Sequence, residues 1–278
     1  KGWNLSGILL TQNLDWIFLL DKFYWTYFTQ LSNVLDTVTS NEAALYQPFN
    51  NSTGNHHCSK FTINNENNEI VLFTIVRTIK ESEFSTSGIT SIYQNKFIDE
   101  DNLDFKVIDS LNYDLTDVHY MNNKLVISHT NDTIPEFQIY NISKTEGPYA
   151  DILTLINTIE TPAIPNALYS TGDTLFVGMG DHGGVKLYNL ENTNSIEELA
   201  WSATGFSVKE VYWDPLYHWL LLSCGFQGVV VIELDESMQE VETWVINTSY
   251  AYAARNYMGN IIVATRNGLE IITLNINQ

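Results

Sequence analysis

The chain has 278 residues, 44% of them hydrophobic and 13% aromatic, enough to enclose a large core of its own. Its 33 acidic residues against 13 basic ones give a formal net charge of −20, which repels phosphate backbones and anionic headgroups and sets aside nucleic-acid and membrane-surface roles. The most apolar stretch, Ile8 to Trp25, is broken by Asp15, Asp21 and Lys22. It falls short of the ~18 uninterrupted apolar residues of a membrane span.

In chain order, short runs of strand length and strand chemistry recur throughout, and no helical period does. Gly7 to Thr11, Trp16 to Leu20 and Phe23 to Thr29 form a first group, with Val34 to Thr39 as its more polar outer member. The stretch of about 41–68, rich in Asn, Ser and Thr, reads as a long polar loop inserted where the second group begins. That group holds Phe61 to Ile63, Ile70 to Ile75, Gly88 to Gln94 and Phe105 to Leu111. The third holds Asp117 to Met121, Leu125 to Ser128, Glu136 to Ile142 and Ile152 to Ile159.

The fourth and fifth groups show the pattern most clearly. Asn166 to Ser170, Leu175 to Met179, Gly184 to Leu190 and Ile196 to Ser202 are matched by Lys209 to Trp213, Trp219 to Ser223, Gly228 to Leu234 and Val241 to Ile246. Gly184 and Gly228 open equivalent runs 44 residues apart, a strand-only period that belongs to propeller blades or similar arrays. The sixth group, Tyr252 to Arg255, Ile261 to Thr265 and Gly268 to Leu274, lacks an outer member before the chain ends at Gln278. The expected fold is therefore all-β: a single domain over 1–278, built as a six-bladed propeller of four-stranded blades, with seven blades as the alternative. Trp16, Ile75, Val126, Val177, Leu221 and Val263 are expected to be buried between blades.

The runs Thr174 to Leu190, Trp219 to Leu234 and Asn260 to Leu274 share an apolar strand, a short loop and then Gly-apolar-x-apolar-apolar-x-Leu. In this they resemble the LVIVD-repeat family of β-propellers. Phe23 and Glu136 stand where the first and third groups would carry the glycine. The resemblance implies a secreted or surface module that binds or scaffolds, without an assigned reaction.

Candidate chemistry is sparse. His56-His57-Cys58 offers zinc-type ligands, but neighbours on a strand point to opposite faces and no second pair follows at ligand spacing. Asp99-Glu100-Asp101 with Asp104 lacks the glycine-bent calcium pattern. Asp181-His182 could pair an acid with a base, yet no nucleophile motif accompanies it, and a hairpin turn is the simpler reading. No metal site, no cofactor and no catalytic residue is expected. Cys58 and Cys224 fall in distant groups, so no disulfide joins them in this reading.

Innermost strands of a propeller converge on its axis. There the sequence offers a pocket of Asp117, His119, Asn166, Glu210 and Arg255, with Lys209 and Tyr252 nearby. Asn51, Asn131, Asn141 and Asn247 each begin an Asn-x-Ser/Thr triplet and are expected to carry glycan, although Asn, Ser and Thr are abundant enough to make such triplets by chance. The chain starts at Lys1 without Met, which reads as a mature or excised product. Together these features describe a non-catalytic, secreted or cell-surface interaction protein. Its partner is another protein or further copies of itself, and its short sixth group leaves an open edge that could build a filament. The alternative is a carbohydrate-binding or carbohydrate-active propeller that uses the axial pocket.

Overall fold

The computed structural model describes residues 5–10, 16–21, 26–30, 44–46, 55–64, 70–79, 89–99, 102–111, 114–130, 134–145 and 151–274. Side chains are described at 62, 71, 73–75, 92, 94, 115–130, 134–145 and 151–274. All regular structure among the described residues is β, in six antiparallel sheets.

The first sheet is β1 (Leu5–Leu10), β2 (Trp16–Asp21), β3 (Thr26–Gln30) and β4 (Ala44–Tyr46). The second is β5 (Asn55–Asn64), β6 (Ile70–Ile79), β7 (Ile89–Asp99) and β8 (Asn102–Leu111). The third is β9 (Asp114–Met121), β10 (Lys124–Thr130), β11 (Pro135–Ser143) and β12 (Ile152–Glu160). The fourth is β13 (Pro165–Thr171), β14 (Thr174–Met179), β15 (Gly184–Asn189) and β16 (Glu197–Ser202). The fifth is β17 (Glu210–Asp214), β18 (Trp219–Ser223), β19 (Val229–Leu234) and β20 (Glu240–Ile246). The sixth holds three described strands, β21 (Ala251–Tyr257), β22 (Asn260–Thr265) and β23 (Gly268–Thr273). In every sheet each strand pairs with its sequence neighbour.

The grouping read from the sequence matches this order. One stretch differs: residues 41–68, expected as a polar loop, contain β4 and the ten-residue β5. Asn-rich composition hid β5 because its ladder with β6 runs from Asn55↔Ile79 to Asn64↔Val71, and main-chain pairing does not depend on apolar side chains. The expected outer strand Val34 to Thr39 lies outside the described residues, as does the side chain of Trp16.

The chain divides into two compact units, Lys1–Ile127 with Tyr140–Leu155, and Ser128–Ile139 with Ile156–Gln278, the division running through the third sheet. The core of the first unit is formed by Phe73, Ile75 and Ile92 of the second sheet with Val118, Leu125, Ile127, Tyr140 and Ile142 of the third.

In the second unit the period-2 alternation of strands becomes a sorting rule. Leu220 and Leu222 of β18, with Val230, Ile232 and Leu234 of β19, pack toward Phe176, Val185 and Leu187 of the fourth sheet. The alternate residues Trp219, Leu221, Val229 and Val231 pack toward Ala254, Ile261 and Val263 of the sixth. A strand covered on both faces has no solvent side, which is why Trp219–Ser223 reads as an unbroken apolar run. Ile75, Val126, Val177, Leu221 and Val263 are all fully buried, as expected from their places in the middle runs.

The glycine that opens the third strand has a steric cause. Gly228 sits at φ +82°, and a Cβ there would collide with the carbonyl oxygen of Ile246 on the neighbouring strand. Gly268 holds φ +119° with open space around it. Gly228→Ala is therefore expected to destabilise the protein by clash and backbone strain together, about 3 kcal/mol or more, and Gly268→Ala by strain alone, about 1–2 kcal/mol. Urea unfolding of the two variants side by side checks the ordering.

Candidate functional site

The residues expected at an axial pocket fall on the first strands of the third to sixth sheets. On β17 the alternation places Glu210, Tyr212 and Asp214 on one face, opposite Val211 and Trp213, which enter the core. Arg255 of β21 reaches this face and forms an ion pair with Glu210 through Nη1. The other oxygen of Glu210 accepts from the hydroxyl of buried Ser223 at 3.3 Å. The guanidinium also lies 4.5 Å from the ring centre of Tyr212, whose far edge meets Tyr169 of β13 at 5.9 Å. Asp214 closes the group: one oxygen accepts from Asn256 Nδ2 at 2.8 Å, the other from the amides of Leu216 and Tyr217.

Glu210 and Arg255 are thus brought together. Tyr169, Tyr212, Asp214, Ser223 and Asn256 complete the network and were not anticipated, although the spacing of Glu210, Tyr212 and Asp214 on one strand already places them on a common face. Burial, reinforced by nearby Asp214 and Glu210 and opposed by Arg255, pushes the Tyr212 phenol above its usual range, and Tyr169 moves the same way. An ion pair this open to water contributes less than about 1 kcal/mol. Its main effect is to fix the arginine over the aromatic ring.

Asn166 does not join this network. Its Nδ2 donates to the Val208 carbonyl at 3.2 Å, tying β13 to the segment that leads into β17. Tyr252 turns elsewhere, toward Tyr250. Asp117 and His119 stand on β9 in the first unit. Asp117 is buried and accepts from the amide of Val118 at 2.8 Å. Burial holds the His119 imidazole down to about 4, although part of its surface still meets solvent.

Of the other sequence candidates, those with described side chains make local contacts. Asp181 and His182 both adopt positive φ in the turn before β15. His182 Nδ1 lies 2.8 Å from the Gly205 carbonyl, and its amide donates to Ser207 Oγ, so the histidine staples two loops. Glu136, which replaces the glycine in the third group, sets Oε1 3.0 Å from Nε2 of His129, a fully buried imidazole. Desolvation lowers the His129 pKa and the Glu136 carboxylate opposes that shift. Cys224 is a buried free thiol, pushed up to about 12 by desolvation. Asn141 and Asn247 are exposed, whereas Asn51 and Asn131 lie outside the described residues. The side chains of the His56-His57-Cys58 and Asp99–Asp104 groups also lie outside them, and no metal-ligating cluster is present among the described residues.

The sequence matches no protein-family model and no curated protein. Solved structures do share the fold. Raptor from Chaetomium thermophilum superposes with a TM-score of 0.63 at 14% identity, over 100% of this chain and 25% of that one. A functionally unknown protein from Desulfotomaculum acetoxidans DSM 771 gives 0.61 at 11% identity, over 99% and 91% of the two chains. A chain of the Mitotic Checkpoint Complex gives 0.55 at 10% identity, over 99% and 88%. This chain spans a quarter of the Raptor chain. At such identities the likeness is one of fold alone.

The depressed His119 pKa has a stability consequence. An imidazole whose folded pKa lies below the unfolded value near 6.5 favours folding fully above pH 6.5, and that contribution is lost as pH falls toward 4. The loss amounts to no more than about 3 kcal/mol. His119→Asn is expected to flatten the pH dependence of the urea midpoint between pH 6.5 and 4, and a histidine ring titration by NMR should place the His119 midpoint in the lower part of that interval.

Proposed function

We propose that this protein is a non-catalytic interaction scaffold, a six-bladed β-propeller whose last blade pairs with another copy of the chain. The resemblance of its third strands to LVIVD repeats and the recurrence of one antiparallel sheet six times support the architecture. The observation that carries the association is β23. Its Leu269 and Ile271 are 74% and 71% exposed, on the last described strand of the sixth sheet.

Edge strands recruit further strands by main-chain hydrogen bonding, and exposed apolar side chains add a reason to be covered. Head-to-tail pairing of such an edge gives an open series of subunits, hence a filament. The fixed Glu210–Arg255 pair and the turn-bound His182 support the non-catalytic reading, because their polar atoms are engaged in holding strands and loops.

Sedimentation velocity across a concentration series tests the association. The wild-type chain is expected to form species larger than the monomer at micromolar concentration, and Leu269→Lys with Ile271→Lys to remain monomeric with an unchanged melting curve. A wild-type protein that is monomeric throughout defeats the proposal. A secreted or surface location is part of the same reading, supported by the exposed sequons at Asn141 and Asn247. Intact-mass analysis of source material is expected to show glycan at one or both; both unmodified would argue against it.

A further inference from the structure

We infer that neighbouring loops of the fifth and sixth sheets form a docking platform for a proline-rich peptide carrying a single carboxylate. The platform is built from Phe226, Tyr250, Tyr252 and Arg266. It uses no side chain of β23.

Phe226 lies in the loop between β18 and β19, Tyr250 precedes β21, Tyr252 stands on β21, and Arg266 occupies the tight turn between β22 and β23. Phe226 meets Tyr250 edge-on, with centroids 4.7 Å apart at 89°, and Tyr250 meets Tyr252 at 4.7 Å and 48°. Phe226 and Tyr252 nevertheless remain 71% and 52% exposed. Exposed aromatic rings clustered in this way, rather than scattered singly, mark a recognition surface.

The cluster is rigidly mounted. Gly225 and Ala251 exchange two main-chain hydrogen bonds, 3.2 and 2.9 Å, as an isolated bridge between the two loops. Gly225 holds φ +60°, and a Cβ there would crowd the Tyr250 ring at 3.2 Å, so the glycine lets the ring lie against the loop. Thr265 Oγ1 fixes the turn beneath Arg266 by donating to the Gly268 carbonyl at 3.0 Å and accepting from the Asn267 amide. Preorganised rings of this kind bind without a large ordering cost.

Three features select the ligand. First, the cation seat is already filled: the Arg266 guanidinium stands 5.2 Å from the Phe226 centroid and 5.3 Å from that of Tyr250. An incoming ammonium would be repelled. Second, Arg266 makes no ion pair among the described residues, so the N–H edge of its stacked guanidinium can take a carboxylate. Beyond about 8 Å the acid excess of the chain is screened at physiological salt, and a ligand bearing one carboxylate reaches the arginine. Third, the bridge occupies the amides and carbonyls of Gly225 and Ala251 with each other, which rules out strand addition there. A polyproline II segment needs no backbone partners of its own, and its rings fit the clefts between tilted aromatic planes.

Fluorescence polarisation with a labelled decapeptide, proline throughout except for one central Glu, tests this alongside its Gln and Lys counterparts. The Glu peptide is expected to bind at least about tenfold tighter than the Lys peptide. Tyr252→Ala and Arg266→Gln should each weaken it at least fivefold without lowering the melting temperature, and Arg266→Glu should reverse the preference toward Lys. Trp201→Ala, at an exposed aromatic elsewhere on the fourth sheet, should leave binding unchanged. Absence of binding at millimolar peptide, equal binding of the Glu and Lys peptides, or indifference to both Tyr252→Ala and Arg266→Gln overturns the proposal. So does binding of an oligogalacturonate that these variants abolish while no peptide binds. Should Tyr252→Ala fail to fold, the Arg266 variants decide.

Discussion

The second unit depends on a fifth sheet that must be covered on both faces. In the fifth sheet, adjacent residues of a single strand serve two different cores: Leu220 and Leu222 pack toward the fourth sheet, and Trp219 and Leu221 toward the sixth. Neither side chain set could be left in water, since each fully buried leucine is worth roughly 2 kcal/mol of transfer free energy. Such a sheet has no stable existence alone, and the second unit gains its stability as a stack. In the described connections of the second unit the main chain is likewise paired, as in Gly183 to Gly180, Gly205 to His182 and Gly228 to Gly225.

Polar groups within this scheme are consumed locally. Gln94 and Asp151 of the first unit bond each other side chain to side chain at 2.6 Å, and Gln94 also receives the amide of Asp151 at 3.0 Å. Both are buried, and a buried amide or carboxylate without a partner would cost about 1–3 kcal/mol or more. Around β17 the polar groups are more open to solvent and their bonds join different strands, so Glu210, Arg255 and Tyr212 record the positions of β17 and β21 relative to each other within the second unit.

The parts of the fold that were legible in the sequence are those where side-chain chemistry repeats. Apolar runs such as Trp219–Ser223, and Gly184 at the start of β15 and Gly228 just before β19, announce themselves because burial on both faces and a positive φ each demand a narrow choice of residue. Of the strand β5 only the run Phe61–Ile63 was legible, because its first six residues, Asn-His-His-Cys-Ser-Lys, carry no alternation. The expected axial set was only partly assembled. Alternation could place Glu210 beside Arg255, but Asn166 is claimed by a backbone carbonyl, and no spacing rule reveals which carbonyl a loop will bring within reach. The aromatic platform was hidden for a related reason: Phe226, Tyr250 and Arg266 come from three separate loops and meet only through the Gly225–Ala251 bridge.

Among the described residues, the sixth sheet packs one face against the fifth. Ile261 and Val263 face the fifth sheet, while Ile262 and Ala264 are partly open and Leu269 and Ile271 are exposed. Its open face is made of the same residue types as the one the fifth sheet presents to it. A tandem duplication of one repeat within the gene would therefore produce a sheet able to dock against the terminal one with little change of sequence.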